Sequence, residues 1–378
     1  YKLKESLSFC IFIQIGMLPL IIYFQYEAPA FSFLANVAAV PLATCAFTLA
    51  FLLIFLPYTV FHEAISWMIQ GVLWISRQSY GMLTIGHVPF LWVLLFYFMT
   101  GLWIWKKNGQ NRHIRISLAY VIMIILIWIP MARRKSLAFL DVGQGDCFVA
   151  DTKSGAIIFD GGSSSEDQVG RYRILPYMKY LGYQKIQIAV ISHMDIDHYS
   201  GIKELLEMGK IKYLGLPEIP KDETMKKIIG IAKKRGTTIF YLSRGRQITT
   251  KDGSLKVLHP QKNSQMEKNA ASLVMQGKIL GYRVLLTGDV EKEGEEELLS
   301  EELERADILK AAHHGSKNST SNEFLQKVQP KQTVISCGKQ NRYGHPHLET
   351  IHRLQTYRTK IYRTDRSGAI IFFKRRDG

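Results

Sequence analysis

Nine residues concentrate the chemistry of this chain: His193-Met194-Asp195-Ile196-Asp197-His198-Tyr199-Ser200-Gly201. Four metal-ligand side chains fall within six positions. The preceding Ile186–Ile191 is apolar and β-branched and reads as a buried strand, while the apolar spacing of Ile202–Met208 predicts that a helix starts there. A strand thus delivers His193, Asp195, Asp197 and His198 into a loop at a helix N-terminus. A carboxylate such as Asp197 is costly to bury unpaired, and a divalent cation removes that cost. Imidazole with carboxylate is a natural ligand set for first-row metals.

The pattern recurs downstream. Short apolar strands end at Asp289, at His313-His314 and at His345/His347. If these ends share one edge of a β sandwich, Asp289 can bridge two cations in the pair used for phosphoester hydrolysis. His313, His345 and Ser316 would then hold the phosphate or protonate the leaving oxygen. Each residue alone has a plainer reading as a turn acid or surface histidine, but together with 193–201 they favour a site.

The elements that position these groups lie in the second of two unlike halves. Residues 1–135 are strongly apolar and carry ten Lys/Arg against three acids, a surplus of seven. The other nine charges of the net +16 fall in 136–378. Both halves are basic, which suits a polyanion or anionic lipid, although membrane-protein loops and a lysine-rich surface give the same balance. Apolar runs at 7–24, 31–56, 88–105 and 116–130 approach the length that crosses about 30 Å of hydrocarbon. Trp92, Trp103, Trp105 and Trp128 lie towards their ends, as interfacial aromatics do. Residues 59–77 differ. Thr59, His62, Glu63, Ser66, Gln70 and Arg77 form a polar stripe opposite Phe61, Ile65, Met68, Val72 and Ile75, the pattern of an amphipathic helix. The basic loop 106–115 is expected to be cytoplasmic, which would place 136–378 outside; Arg133–Lys135 argue the other way. The expected architecture is an α-helical transmembrane bundle in 1–135, followed by an α/β sandwich in 136–378.

That second half reads as a three-strand meander at 137–140, 147–150 and 156–159 with acidic glycine turns. A loop at 163–171, a helix at 174–181 and further β–α alternation follow, with strands at 238–242, 255–258, 272–276, 282–286, 308–312 and 333–336 and a helix at 291–304. The four cysteines, Cys10, Cys45, Cys147 and Cys337, have no CxxC spacing, which argues against a zinc–thiolate site. A Cys10–Cys45 disulfide is left open. The chain starts at Tyr1 with neither an initiator Met nor a signal peptide and reads as a fragment of something longer.

These residues also carry a family resemblance. His193–His198 resembles the HxDxDH signature of the metallo-β-lactamase fold, and Thr287-Gly288-Asp289 its bridging-aspartate motif. DVGQGD (141–146), FDGG (159–162), SLV (272–274), HHGS (313–316) and YGHPH (343–347) resemble the soluble domain of the ComEC family of bacterial competence DNA-uptake channels. The apolar first half is similar to the end of that family's channel domain. The resemblance implies an αββα metallo-β-lactamase-like sandwich and two divalent ions. It assigns His193 and Asp195 to one ion, Asp197 and His198 to the other and Asp289 between them, with His314 a further ligand and His313 nearer the phosphate. Ser272 stands where many relatives of the fold have another His ligand, which weakens the first metal site and puts Ser272 beside the substrate. Asp195, in place of a His, makes Mn²⁺ plausible beside Zn²⁺. Ser200 replaces a more usual glycine. The implied function is a multi-pass cell-membrane channel for single-stranded DNA, joined to an extracytoplasmic, metal-dependent nuclease that degrades the non-transported strand of linear DNA. Implied partners are DNA and membrane lipid, with room for other competence uptake proteins and for further copies of the chain. The competing readings are a DNA channel with a catalytically idle sandwich, and a membrane-tethered hydrolase of small phosphoesters or, last, β-lactams.

Overall fold

A computed structural model of the chain describes residues 2–29, 32–55, 59–76, 81–105, 134–267 and 269–374. The chain divides into two compact units, Tyr1–Met131 and Ala132–Gly378. The apolar run 116–130 and the basic loop 106–115 lie outside the described residues.

In the first unit α1 (Lys2–Gln25), α2 (Ser32–Leu52), α3 (Thr59–Ser76) and α4 (Phe90–Trp105) carry the apolar runs, and β1 (Glu27–Pro29) pairs antiparallel with β2 (Met82–Thr84). Among the described residues one helical stretch, Ala35–Leu52, is long and apolar enough to cross a membrane; the apolar parts of α1 and α4 are shorter. The apolar side chains of these helices face outwards: Phe12, Phe47, Phe51, Leu91 and Phe98 are all more than half exposed. Helix α3 follows the amphipathic pattern only in part. His62, Glu63, Ser66 and Gln70 are exposed and Phe61, Ile65, Met68, Val72 and Ile75 half-buried, but Trp67 and Trp74 are exposed as well. Cys45 is a free, exposed thiol, and the Cys10 side chain is not described.

The second unit is an αββα sandwich. One seven-stranded sheet has the order β16-β3-β4-β5-β6-β7-β8 and the other β15-β14-β13-β12-β11-β10-β9. In chain order the strands are β3 (Ser136–Phe139), β4 (Phe148–Thr152), β5 (Gly155–Phe159), β6 (Ile186–Val190), β7 (Ile211–Pro217), β8 (Thr238–Leu242), β9 (Gln247–Thr250), β10 (Gly253–His259), β11 (Val274–Ile279), β12 (Tyr282–Leu286), β13 (Ile308–Lys310), β14 (Gln332–Ile335), β15 (Lys360–Arg363) and β16 (Ile370–Phe373). Strands β3 to β5 form the expected antiparallel meander; β5 to β8 and β12 to β15 run parallel.

Strands buried on both faces read as continuous apolar runs. Along β3, Leu137 and Phe139 join Phe159, Val257, Met275 and Val284 between the sheets. Ala138 and Leu140 face the other way, towards α5 (Leu175–Tyr180), α6 (Ile196–Glu207) and α7 (Glu223–Lys234) through Met178, Ile202, Leu205 and Ile228. The second sheet is covered by α8 (Lys292–Leu299), α9 (Asn322–Val328) and α10 (Leu348–Thr356) through Leu298, Phe324, Leu325 and Leu354.

Several boundaries differ from the sequence reading. Helix α6 begins at Ile196, not 202, with Asp195 extended at its N-cap, so Asp197 and His198 are helical and not in a loop. Asp is favoured in a first helical turn by the macrodipole, and the apolar spacing alone misses that turn. The acidic helix stops at Leu299, and a π-turn, Gly170–Ile174, precedes α5. Strands β7, β9, β15 and β16 are additional.

Candidate metal centre

Parallel strands of both sheets end at one edge of the sandwich, where ligand sites form in α/β sheets. After β5 comes Asp160, after β6 Ser192 and His193, after β12 Asp289, after β13 His313 and His314, and after β14 Ser336. The loop after β3 brings Asp146 to the same edge. Its path explains two glycine motifs: a Cβ on Gly145 or Gly162 would overlap backbone atoms of Asp197, Ile196 or His198. Asp146 N donates to Asp197 O (3.0 Å) and Gly161 N to His198 O (2.9 Å), so both turns are laid directly on the first turn of α6.

Asp146, His198, Asp289 and His314 are buried, each with a ligand atom within 4.8 Å of the others'. Asp289 Oδ2 lies 3.2 Å from His198 Nε2, 3.3 Å from His314 Nε2 and 3.8 Å from His313 Nε2. Asp197 Oδ2 is 3.4 Å from His314 Nε2. The His193 ring packs 4.2 Å from that of His198, and its Nε2 is 3.5 Å from Asp195 Oδ2.

The second set of contacts fixes which imidazole nitrogen faces the pocket. His198 Nδ1 donates to Asp160 Oδ2 at 2.9 Å, and Asp160 Oδ1 is itself held by Ser192 N at 2.7 Å. His314 Nδ1 donates to the Ser336 carbonyl at 3.0 Å. With Nδ1 committed, Nε2 of each ring is left for a ligand, the usual arrangement around a bound metal. Nε2 of His193, His198 and His314 are indeed buried without a hydrogen-bond partner. Buried polar atoms normally find partners, so three orphaned nitrogens facing carboxylates fit a cation. Positive φ at both His313 (48°) and His314 (52°), at about 1–2 kcal/mol per residue, is the local strain that turns these rings to the pocket.

Electrostatics reflect the crowding. Burial disfavours the His198 imidazolium, but Asp289 and Asp160 outweigh it and hold the group well above the usual imidazole range; for His314, Asp289 and Asp146 outweigh burial likewise. Burial pushes the carboxyls up, yet His198, His314 and Lys310 hold Asp289 well below the carboxylate range, and Lys310 and His314 hold Asp146 at about 2. Asp197 is lowered against burial by His314 and His198.

Of the other residues read from the sequence, His313 is partly exposed, with Nδ1 2.8 Å from Glu291 Oε1. The His345 ring lies 5.5 Å from that of His313 and stacks on Tyr343. Burial and then the neighbouring His314, His313 and His347 lower His345 to about 4. Ser272 Oγ accepts from Asp289 N at 3.3 Å. The Ser316 hydroxyl accepts from Asn318 N at 3.3 Å. Asp146, Asp160, Ser192 and Lys310 are site residues that the sequence reading did not single out. The first two sit in the glycine motifs and read there as turn acids; Lys310 announces itself only as a lysine inside the apolar run 308–312.

The comparisons with known proteins agree with this geometry. The model of the metallo-beta-lactamase superfamily matches residues 140–339, and that of the competence protein family matches residues 2–110. The chain is 31% identical to ComE operon protein 3 of Bacillus subtilis over 400 residues, which covers 97% of this chain and 51% of that protein. It is 30% identical to competence protein ComA of Neisseria gonorrhoeae over 248 residues, 63% of this chain and 32% of that one. It is 27% identical to recombination protein 2 of Haemophilus influenzae over 268 residues, 70% of this chain and 32% of that one. The chain thus spans half the length of the first of these relatives and a third of the other two. With its competence-protein domain followed by an αββα sandwich that gathers His and Asp at one edge, the chain belongs to the metallo-beta-lactamase superfamily.

Proposed function

We propose that the second unit is a metal-dependent phosphodiesterase that cuts DNA, and that the first unit is part of a membrane conduit for one DNA strand. The observation that carries the reading is the set of three buried Nε2 atoms without hydrogen-bond partners: those of His198 and His314 face Asp289 and Asp197, and that of His193 faces Asp195. These residues, with Asp195, would hold two divalent ions, Mn or Zn. Such ions supply an activated water and stabilise charge on phosphoryl oxygens.

The chain's own groups do the rest. Asp160 and the Ser336 carbonyl keep protons on Nδ1, so that Nε2 stays available. His345, its ring 5.5 Å from that of His313, is placed to exchange a proton with a leaving oxygen. His313, at the open side beside Glu291, is placed to hold a phosphate oxygen. The names of the relatives point to competence, and hence to DNA as the substrate. The outward apolar surface of α1, α2 and α4 supports a place in lipid, with several crossings. The basic 106–115 loop supports a second unit outside the membrane. Other uptake proteins or further copies of the chain would complete the conduit.

A second reading, an idle sandwich that supports the conduit, is favoured by the Lys310–Asp146 ion pair, which neutralises part of the cluster with no metal. Linear single-stranded DNA incubated with the chain in detergent, with Mn²⁺ or Zn²⁺ and with chelator, separates the two. Hydrolysis that needs the ion and disappears in Asp197→Ala supports the nuclease. No hydrolysis with either ion, or hydrolysis indifferent to Asp197→Ala, rejects it.

A further inference from the structure

Lys310 ends β13 inside the sandwich, 4% exposed, and its ammonium points into the pocket edge. It donates to Gly288 O at 2.9 Å, lies 3.4 Å from Asp289 Oδ1 and forms an ion pair with Asp146. A buried ammonium is tolerated only when paired in this way.

The contact divides the Asp289 carboxylate. Oδ1 faces Lys310, while Oδ2 faces Nε2 of His198 and His314 at 3.2 and 3.3 Å. Asp197 Oδ2 joins the Oδ2 side, 3.4 Å from His314 Nε2. That side therefore gathers two imidazoles and two carboxylates. The His193 side is poorer. It offers His193 Nε2 and Asp195 Oδ2, 3.5 Å apart, and the Asp195 side chain is 38% exposed. Asp289 Oδ1 and Asp146, further carboxylate groups of the pocket, are paired with the lysine.

We propose that Lys310 is a positioning residue that acts as a resident cation, so that the pocket holds one divalent ion tightly among His198, His314, Asp197 and Asp289, and a second at His193 and Asp195 only weakly. The second ion is then exchangeable, and the substrate's own phosphate oxygens complete its coordination. The inference rests on the metal-dependent reading above and adds the inequality between the ions and its cause.

The test is a Mn²⁺ binding isotherm of the chelator-stripped chain in detergent, read as ions bound per chain together with the electron paramagnetic signature of single against paired Mn²⁺. The expected wild-type result is one ion bound at least about tenfold more tightly than the second, the lower end of what an outer partner does to metal affinity. Lys310→Met frees Asp289 Oδ1 and Asp146, and should tighten the second ion about tenfold and bring in the paired signature at lower Mn²⁺. Lys310→Arg, which keeps the charge, should retain the inequality. Two ions of equal affinity in the wild type overturn the inference and leave the metal-dependent reading standing. So does a folded Lys310→Met chain whose second ion is unchanged or looser. Should Lys310→Met fail to fold, the wild-type isotherm decides by itself. No ion bound at all removes the reading and the inference together.

Discussion

The two units use apolar residues in opposite ways. In the first, large apolar side chains cover the outside: Phe47 and Trp67 are about three-quarters exposed and the Ala35–Leu52 helix buries almost nothing. In the second, Phe139, Phe324 and Leu205 are fully enclosed, and among the buried polar groups Asp146, Asp160, His198, Asp289 and His314 gather at one sheet edge. Contiguous exposed apolar surface marks a face that something else covers. Buried polar groups mark a place where the fold gives up packing for chemistry. The contrast teaches that one unit is built to be surrounded and the other to surround.

The largest effect that would break this comparison is on the second unit's core. Phe324→Ala should cost about 3–5 kcal/mol, as large core truncations do, measured by denaturant unfolding of the sandwich. A cost below 1 kcal/mol would mean that the layer under α9 is not packed as described.

Next comes the support of the pocket. Asp160→Asn keeps the positive φ of Asp160 but removes the charge behind His198. Metal affinity should fall by about tenfold, near the lower end for such partners, in a chelator competition. Unchanged affinity would show that His198 is not held through Nδ1.

The pH dependence is smaller and has a definite sign. His198 and His314 are raised above the ordinary imidazole value of about 6.5, so without an ion they stabilise the fold fully below that value and lose this contribution as pH rises through their folded values. A divalent ion competes with those protons. The melting temperature with Mn²⁺ minus that with chelator should therefore widen as pH rises from about 6 to 9; a gap that narrows contradicts the assignment.

The smallest effect sharpens the contrast from the other side. Phe47→Ala, on the outer face of α2, should change stability in detergent by less than about 0.5 kcal/mol. A cost like that of Phe324→Ala would show that α2 is enclosed by protein.

Much of this was legible in the sequence. Strands such as Ile186–Val190 and Tyr282–Leu286 stood out as mainly apolar runs between turn residues. The candidate ligands stood out because His and Asp after such runs have no packing role. Less legible was what depends on through-space partners. Asp160 looked like a turn residue because nothing local shows that His198 lies 38 positions ahead and 2.9 Å away. Lys310 was not singled out because its partners, Asp146 and Asp289, come from two other loops. The α6 boundary was missed because its first turn is polar on account of the site, not of solvent. Strand β16 was missed because its place, beside β3, pairs residues more than 230 positions apart.

The most direct test of the central claim is the anomalous scattering of Mn²⁺ in crystals of the chain. The account predicts a principal peak among His198 Nε2, His314 Nε2, Asp197 and Asp289 Oδ2, lost in Asp289→Ala. A principal peak elsewhere, or no peak at this edge of the sandwich at saturating Mn²⁺, would contradict it.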